Sequence, residues 1–127
     1  MPYPIDLDVE KRPWPLPINF QSNLKCIVCI NMIHISPWNC TEALLEESGR
    51  LLHKNQLLIL YGPFKKQGKH TSQSNEKFDQ YLKDQNDDWG VRDLEEVSTI
   101  AMKSGFKNDN IIQMPANNLT VTYRMSR

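Results

Sequence analysis

A mixed α/β sheet is the fold this sequence predicts, on three observations. Leu24 to Ile30 is an unbroken apolar run, and Gln56 to Tyr61 is a second one. The residues between them repeat leucines at helical spacing. Leu119, Val121, Tyr123 and Met125 alternate with Thr120, Thr122 and Arg124 at the chain's end. The first two observations describe a strand, a helix and a parallel strand, a unit that closes right-handed. The third describes a strand with period two, reached from Ile111–Met114 through only Pro115-Ala116-Asn117-Asn118. That connection is too short for a crossover helix, so the last two strands must pair antiparallel.

The first strand, without alternation, reads as one covered on both faces, as in parallel sheets. Ser36-Pro37 supplies a cap and a proline at the first helical position, and Leu44, Leu45, Leu51 and Leu52 continue a helix from about Pro37 to Leu52. Gly62-Pro63 stops the second strand. After the polar stretch Lys65 to Ser74, Ser74 is expected to cap a short helix with Phe78, Tyr81 and Leu82 on one face. Asp93 with Glu96 three residues on opens another helix, which carries Leu94, Val97, Ile100 and Ala101 and stops at Gly105.

At 127 residues the chain is one domain's worth, long enough to bury roughly two thirds of the surface its unfolded form exposes. Residues 1–23 hold five of the eight prolines and read as a rigid extension, a surface strap or domain edge, before an α/β domain over residues 24–127. Lys plus Arg equals Asp plus Glu at 15 each, and no basic stripe interleaves with the three tryptophans, which argues against nucleic acid as a partner. No basic-then-apolar leader and no apolar run near 18 residues is present; a cytoplasmic chain with no membrane segment is the expectation. Cys26-x-x-Cys29 lies in an extended run that puts the two thiols on opposite faces, and no second pair completes a tetrahedron, so no metal is expected.

Asn31-Met32-Ile33-His34-Ile35-Ser36-Pro37-Trp38 follows the first strand directly, at the place where open α/β sheets put their active crevices. Asn31 can orient a nucleophile or a cofactor amine. His34 can accept a proton near neutral pH, although it can equally cap or bridge the following turn. Tyr61 ends the next strand beside the same crevice, and its hydroxyl can meet a substrate or simply stay wet at the edge of the core. Asn75, Asp79, Trp89, Arg92 and Asp93 make a lid-like cluster with an aromatic wall, a cation and carboxylates around a small polar substrate; a local network pinning the insert is the alternative. Asn117 and Asn118 offer two amides beside a proline turn, either for substrate or for turn construction. His53 and His70 are expected to be solvated or loop residues.

These motifs carry a resemblance. Asn31 to Trp38, Tyr61-Gly62-Pro63-Phe64, Ser74-Asn75 with Phe78-Asp79, Trp89-Gly90-x-Arg92-Asp93 and Met114 to Asn118 together resemble the methyltransferase-like 26 family, long held as a domain of unknown function. The resemblance runs from Asp6-Leu7-Asp8-Val9 to the C-terminus. It implies the C-terminal half of a Rossmann-like class I methyltransferase fold, a mixed sheet ending in an antiparallel hairpin, with S-adenosylmethionine as cofactor and a small molecule of unassigned identity as substrate. Asn31 and His34 would be catalytic. Asn31 and Met32 would touch cofactor, and Tyr61, Asn75, Asp79, Trp89, Arg92, Asn117 and Asn118 would touch substrate.

In such a fold the first strands, the glycine-rich loop and the acid that holds the ribose lie upstream of this stretch. No glycine-rich turn follows any strand of this sequence. The chain by itself is therefore expected to be inactive as a truncated product. The absent first strand would leave one edge of Leu24–Ile30 unpaired, which invites a homodimer through that edge unless the proline-rich leader covers it. A non-catalytic binding or dimerisation module that keeps the crevice residues is the alternative.

Overall fold

The computed structural model describes residues 3–127. A four-stranded sheet is built from β1 (Cys26–Ile30), β2 (Leu57–Gly62), β6 (Phe106–Met114) and β7 (Asn118–Met125) in the order β1-β2-β7-β6. β1 and β2 are parallel, while β7 runs antiparallel to both β2 and β6. The predicted strand, helix, strand unit and terminal hairpin are both present. β6 is longer than the predicted Ile111–Met114, because a bulge between Asn108 and Asn110 lets a largely polar, exposed strand keep pairing with β7 from Phe106 onwards.

Register explains the core. Leu58 lies opposite Tyr123, and Leu60 opposite Val121, so their side chains share one face of the sheet. Against that face pack α2 (Trp38–Leu51), through Leu44, Leu45 and Leu51, and α4 (Leu94–Lys103), through Leu94, Val97 and Ala101. The two helices approach closely at Gly49: an added Cβ there would lie 3.1 Å from the Ser104 Cβ and still closer to the Ser104 carbonyl. α2 starts one residue later than predicted. Ser36 does not cap it but donates its hydroxyl to the Met32 carbonyl at 2.7 Å, and Pro37 takes the cap position. Asp93 precedes α4 without a side-chain cap bond, so the expected capping box is not made.

The expectation that β1 is covered on both faces is corrected. Ile27 and Cys29 pack on the core side, but Val28 is 54% and Ile30 62% exposed on the other. The unbroken apolar run is the sequence of a two-sided strand, yet among the described residues helices cover only the core face. The outer edge of β1 also has no strand beside it among the described residues.

The proline-rich leader is anchored to the domain through its own side chains. Val9 and Trp14 are buried in the core, and the Trp14 indole donates to the Val9 carbonyl at 2.9 Å. Arg12 pairs with Glu46 of α2, and Glu47 beside it takes a hydrogen bond from the Trp14 amide. The short α1 (Ile18–Asn23) buries no residue.

The polar insert after β2 is more ordered than the sequence foretold. β3 (Phe64–Lys66) and β4 (Lys69–His70) form a hairpin, and β5 (Arg92–Asp93) adds to β3 in parallel, making a second small sheet. α3 runs Gln73–Gln85, capped by Ser72 rather than Ser74; the Ser72 hydroxyl accepts from the Asn75 amide at 3.1 Å. Its buried face is Asn75, Asp79 and Leu82, whereas Phe78 and Tyr81 stand 38% and 58% exposed.

Candidate functional site

A cavity of about 470 Å³ opens where β1, β2 and β7 meet α3. Such a volume suits a small ligand. Asn31 forms part of its wall because the chain leaves β1 in a left-handed turn there (φ 60°), with its amide donating to the Tyr61 carbonyl at 2.9 Å. Asn tolerates this conformation better than most residues. Ile35, Pro63 and Phe78 supply apolar wall, and Asn75 and Asn118 add carboxamides. Phe78, placed by the sequence on one helix face with Tyr81 and Leu82, is a wall residue here. Helical spacing brought it beside Leu82 on paper, but α3 turns its polar side to the protein.

Asn75 is 4% exposed. Its Nδ2 donates to the Thr71 hydroxyl and to the Asn117 carbonyl, each at 3.2 Å, which joins α3 to the turn before β7. That turn takes left-handed conformations at Ala116 (φ 61°) and Asn117 (φ 60°). Asn118 Nδ2 closes it by donating to the Pro115 carbonyl at 3.3 Å, and Asn117 Nδ2 reaches Ser74 Oγ at the same distance.

His34 sits behind the cavity, not in it. It is fully buried, edge-on to Phe64 with ring centroids 5.5 Å apart, and neither ring nitrogen has a hydrogen-bond partner. Burial, followed by the nearby Arg92 charge, lowers its pKa to about 4, with Asp79 pulling the other way. The imidazole is therefore neutral at physiological pH, and a weaker base than the near-neutral one expected from sequence. Its Nε2 and the Asn31 Oδ1 converge on Gly62 (φ +153°): a Cβ there would stand 2.8 Å from that oxygen and closer still to Nε2. Gly62 is what lets the two side chains approach the end of β2.

The remaining candidates divide. Tyr61 is half-buried at the end of β2 and Trp89 is half-buried in the loop before β5; neither lines the cavity. Arg92 is spent on its surroundings. It donates to the carbonyls of Ile33 at 2.9 Å and of Ser36 and Asp88 at 2.8 Å, and its guanidinium lies 5.5 Å over the Trp38 ring. Asp79 is likewise committed, accepting from the Val91 amide at 2.8 Å, Lys83 at 3.0 Å and His70 at 3.1 Å. Burial raises its pKa, but that amide, Lys83 and His70 together hold it below the ordinary value. Arg92 and Asp79 are thus both engaged in local hydrogen-bond networks, and His70, expected as a solvated or loop residue, is part of the Asp79 one. Asp93 has one buried carboxylate oxygen without a partner.

Met32 faces elsewhere. It borders an apolar groove between the leader and β1, with Val9, Trp14, Ile27 and Val28. Asn31 and Met32, the two residues expected at the cofactor, thus border different cavities. No carboxylate lines the cavity of Asn31. With the two residues on different cavities, the described residues do not form one site for S-adenosylmethionine.

The family model described as "Protein of unknown function (DUF938)" matches residues 1–125. The chain belongs to that family. Among solved structures, human N-acetylserotonin methyltransferase in complex with SAM aligns at TM-score 0.77 and 12% identity, covering 94% of this chain and 32% of that one. An O-methyltransferase family protein from Burkholderia thailandensis aligns at 0.71 and 9% identity, covering 94% and 33%. A methyltransferase of calicheamicin biosynthesis in its SAH-bound form aligns at 0.67 and 10%, covering 84% and 32%. The fold of this family member is that of class I methyltransferases, and the chain spans about a third of the length of those structures. Among its described residues no helix is long and apolar enough to cross a membrane.

Proposed function

We propose that this chain is the acceptor-side part of an S-adenosylmethionine-dependent methyltransferase of the methyltransferase-like 26 type, and that by itself it does not catalyse methyl transfer. The observation that carries the reading is the position of Asn31: directly after β1, in a left-handed turn, with a carboxamide on a small cavity that makes no side-chain hydrogen bond among the described residues. Methyl transfer asks chiefly that donor and acceptor be aligned, and rigid positioning of this kind is what alignment requires. Asn31 would meet the cofactor, and Asn75 and Asn118 the acceptor; Asn117 would hold the turn that carries Asn118. Arg92 and Asp79 would act at a distance by fixing the Ile33–Ser36 turn and α3. His34, neutral and buried, would support Asn31 from behind.

The test is an NMR titration of the 127-residue protein with S-adenosylhomocysteine. Weak shifts confined to the amides of Asn31 to Ile33 support the reading; shifts that begin elsewhere, or none, overturn it. Methyl transfer from tritiated S-adenosylmethionine by this chain alone would contradict the second half of the proposal.

A second reading, a module that pairs with its own copy, rests on the open edge of β1. Because Asn31 donates toward β2, alternation turns the N–H and C=O groups of Cys26, Val28 and Ile30 outward, where no strand among the described residues meets them. An antiparallel pairing of two such edges about Val28 is self-complementary. Val28→Lys should then convert a dimer to monomer on a sizing column, and a monomer before the substitution excludes it.

A further inference from the structure

We infer, on the reading of the cavity beside Asn31 as the acceptor site, that Phe78 sets part of its specificity. The ring is a fixed platform that tilts the choice of acceptor towards an aromatic ring and away from a saturated ring of the same size.

The ground is how α3 is set on the domain. A helix turns by about 100° per residue, so Asn75, Asp79 and Leu82 share its buried face and Phe78 stands on the flank of that face. Two of those three buried residues are polar and are held there by hydrogen bonds. Asn75 is bonded to Thr71 and the Asn117 carbonyl, and Asp79 to the Val91 amide, Lys83 and His70. Asn75 lies one turn before Phe78 and Asp79 directly follows it, so these bonds fix the helix on both sides of the ring. With the helix held so, Phe78 does not roll into the core and stays 38% exposed. Apolar ring surface left in water is stabilised when a ligand covers it.

Phe78 differs from the other exposed aromatic of this helix. Tyr81 is 58% exposed and does not line the cavity, whereas Phe78 lines it together with Ile35, Pro63 and Ala116. Those three residues give apolar contact to any hydrocarbon, saturated or aromatic. The polar lining does not sort rings either, because Asn31, Ser74 and Asn118 bring donors as well as acceptors. Among the lining residues Phe78 alone carries an aromatic ring. A ring pair, offset-stacked or edge-to-face, gains free energy beyond the area it buries. That gain amounts to about twofold to tenfold in affinity.

The experiment titrates the 127-residue protein with benzyl alcohol and with cyclohexylmethanol, which share an anchor and differ in the ring, and follows the Asn31 and Asn118 side-chain amide signals by NMR. The readout is the ratio of the two affinities, in which the shared anchor cancels. Phe78→Leu, an apolar change at a partly exposed position, should lower the preference for benzyl alcohol by about twofold to tenfold, and Phe78→Trp should keep it. Tyr81→Leu is the control on the same helix and should leave the ratio unchanged. A ratio that Phe78→Leu does not lower, that Phe78→Trp loses, or that Tyr81→Leu lowers as much overturns the inference and leaves the cavity's role standing. If neither alcohol moves these amide signals, the reading of the cavity as an acceptor site fails, and the inference with it.

Discussion

Gly62→Ala tests the packing that places Asn31 and His34. Gly62 holds φ +153°, and an alanine Cβ would sit 2.8 Å from Asn31 Oδ1, 2.9 Å from His34 Cδ2 and nearer still to His34 Nε2. His34 is fully buried against Phe64, so its ring has no room to step back. Backbone strain in this region costs about 1–3 kcal/mol, and overpacking a filled site a similar amount. A loss of about 3 kcal/mol is expected, a large share of the stability of a small domain. Gly68→Ala is the control: its φ is +73°, but an added Cβ meets nothing within 4 Å, so it should cost only about 1 kcal/mol. In urea unfolding followed by tryptophan fluorescence, the midpoint of Gly62→Ala should fall roughly 1 M below that of Gly68→Ala. Equal midpoints would refute the argument that Gly62 is needed for the approach of these two side chains.

Further predictions concern the charges and the strap. With His34 titrating at about 4 when folded and near 6.5 when unfolded, the unfolded chain takes up the proton first; stability is complete above 6.5, falls by about 3 kcal/mol as pH drops to 4, and then levels. The His34 ring signals should show no protonation at pH 5.5 in an NMR titration, and a midpoint near 6.5 would contradict the burial. Asp79→Ala should cost about 1–2 kcal/mol more than Asp79→Asn, because asparagine keeps an acceptor for the Val91 amide; equal urea midpoints for the two would show that this bond contributes nothing. Trp14→Ala should destabilise by about 3–5 kcal/mol in the same assay, since the indole is buried in the core and anchors the leader; a change under about 1 kcal/mol would make the leader a passive extension.

The strands and the terminal hairpin were legible because each rests on a local signal: apolar runs for β1 and β2, alternation in β7, and a connection too short to cross over. What the sequence hid depends on partners. The continuous apolar run of β1 could not reveal that Val28 and Ile30 would face no second layer, since exposure is decided by what packs outside the segment. The face of α3 was misread because Asn75 and Asp79 are buried by hydrogen bonds to Asn117, Val91, Lys83 and His70, contacts that hydrophobic spacing does not encode. The small sheet of β3, β4 and β5 has strands of two or three residues, below the length at which a pattern can be seen.

For the site, position after a strand drew attention to Asn31, and the cavity brings Asn31, Asn75 and Asn118 together from segments far apart in sequence. A buried imidazole and a guanidinium satisfied by three carbonyls look, as sequence, the same as exposed ones. The burial of His34 and the three carbonyls around Arg92 were therefore not legible in the sequence. The Ser72 cap was missed for Ser74 because two serines in similar settings compete for one cap.

Calorimetric titration of the 127-residue protein with S-adenosylmethionine tests the central claim most directly. If the chain holds the acceptor side of a methyltransferase fold and only one side of the cofactor, the titration should show no saturable heat below the millimolar range. Saturable micromolar binding would mean that these residues complete a cofactor site on their own, and would contradict the account.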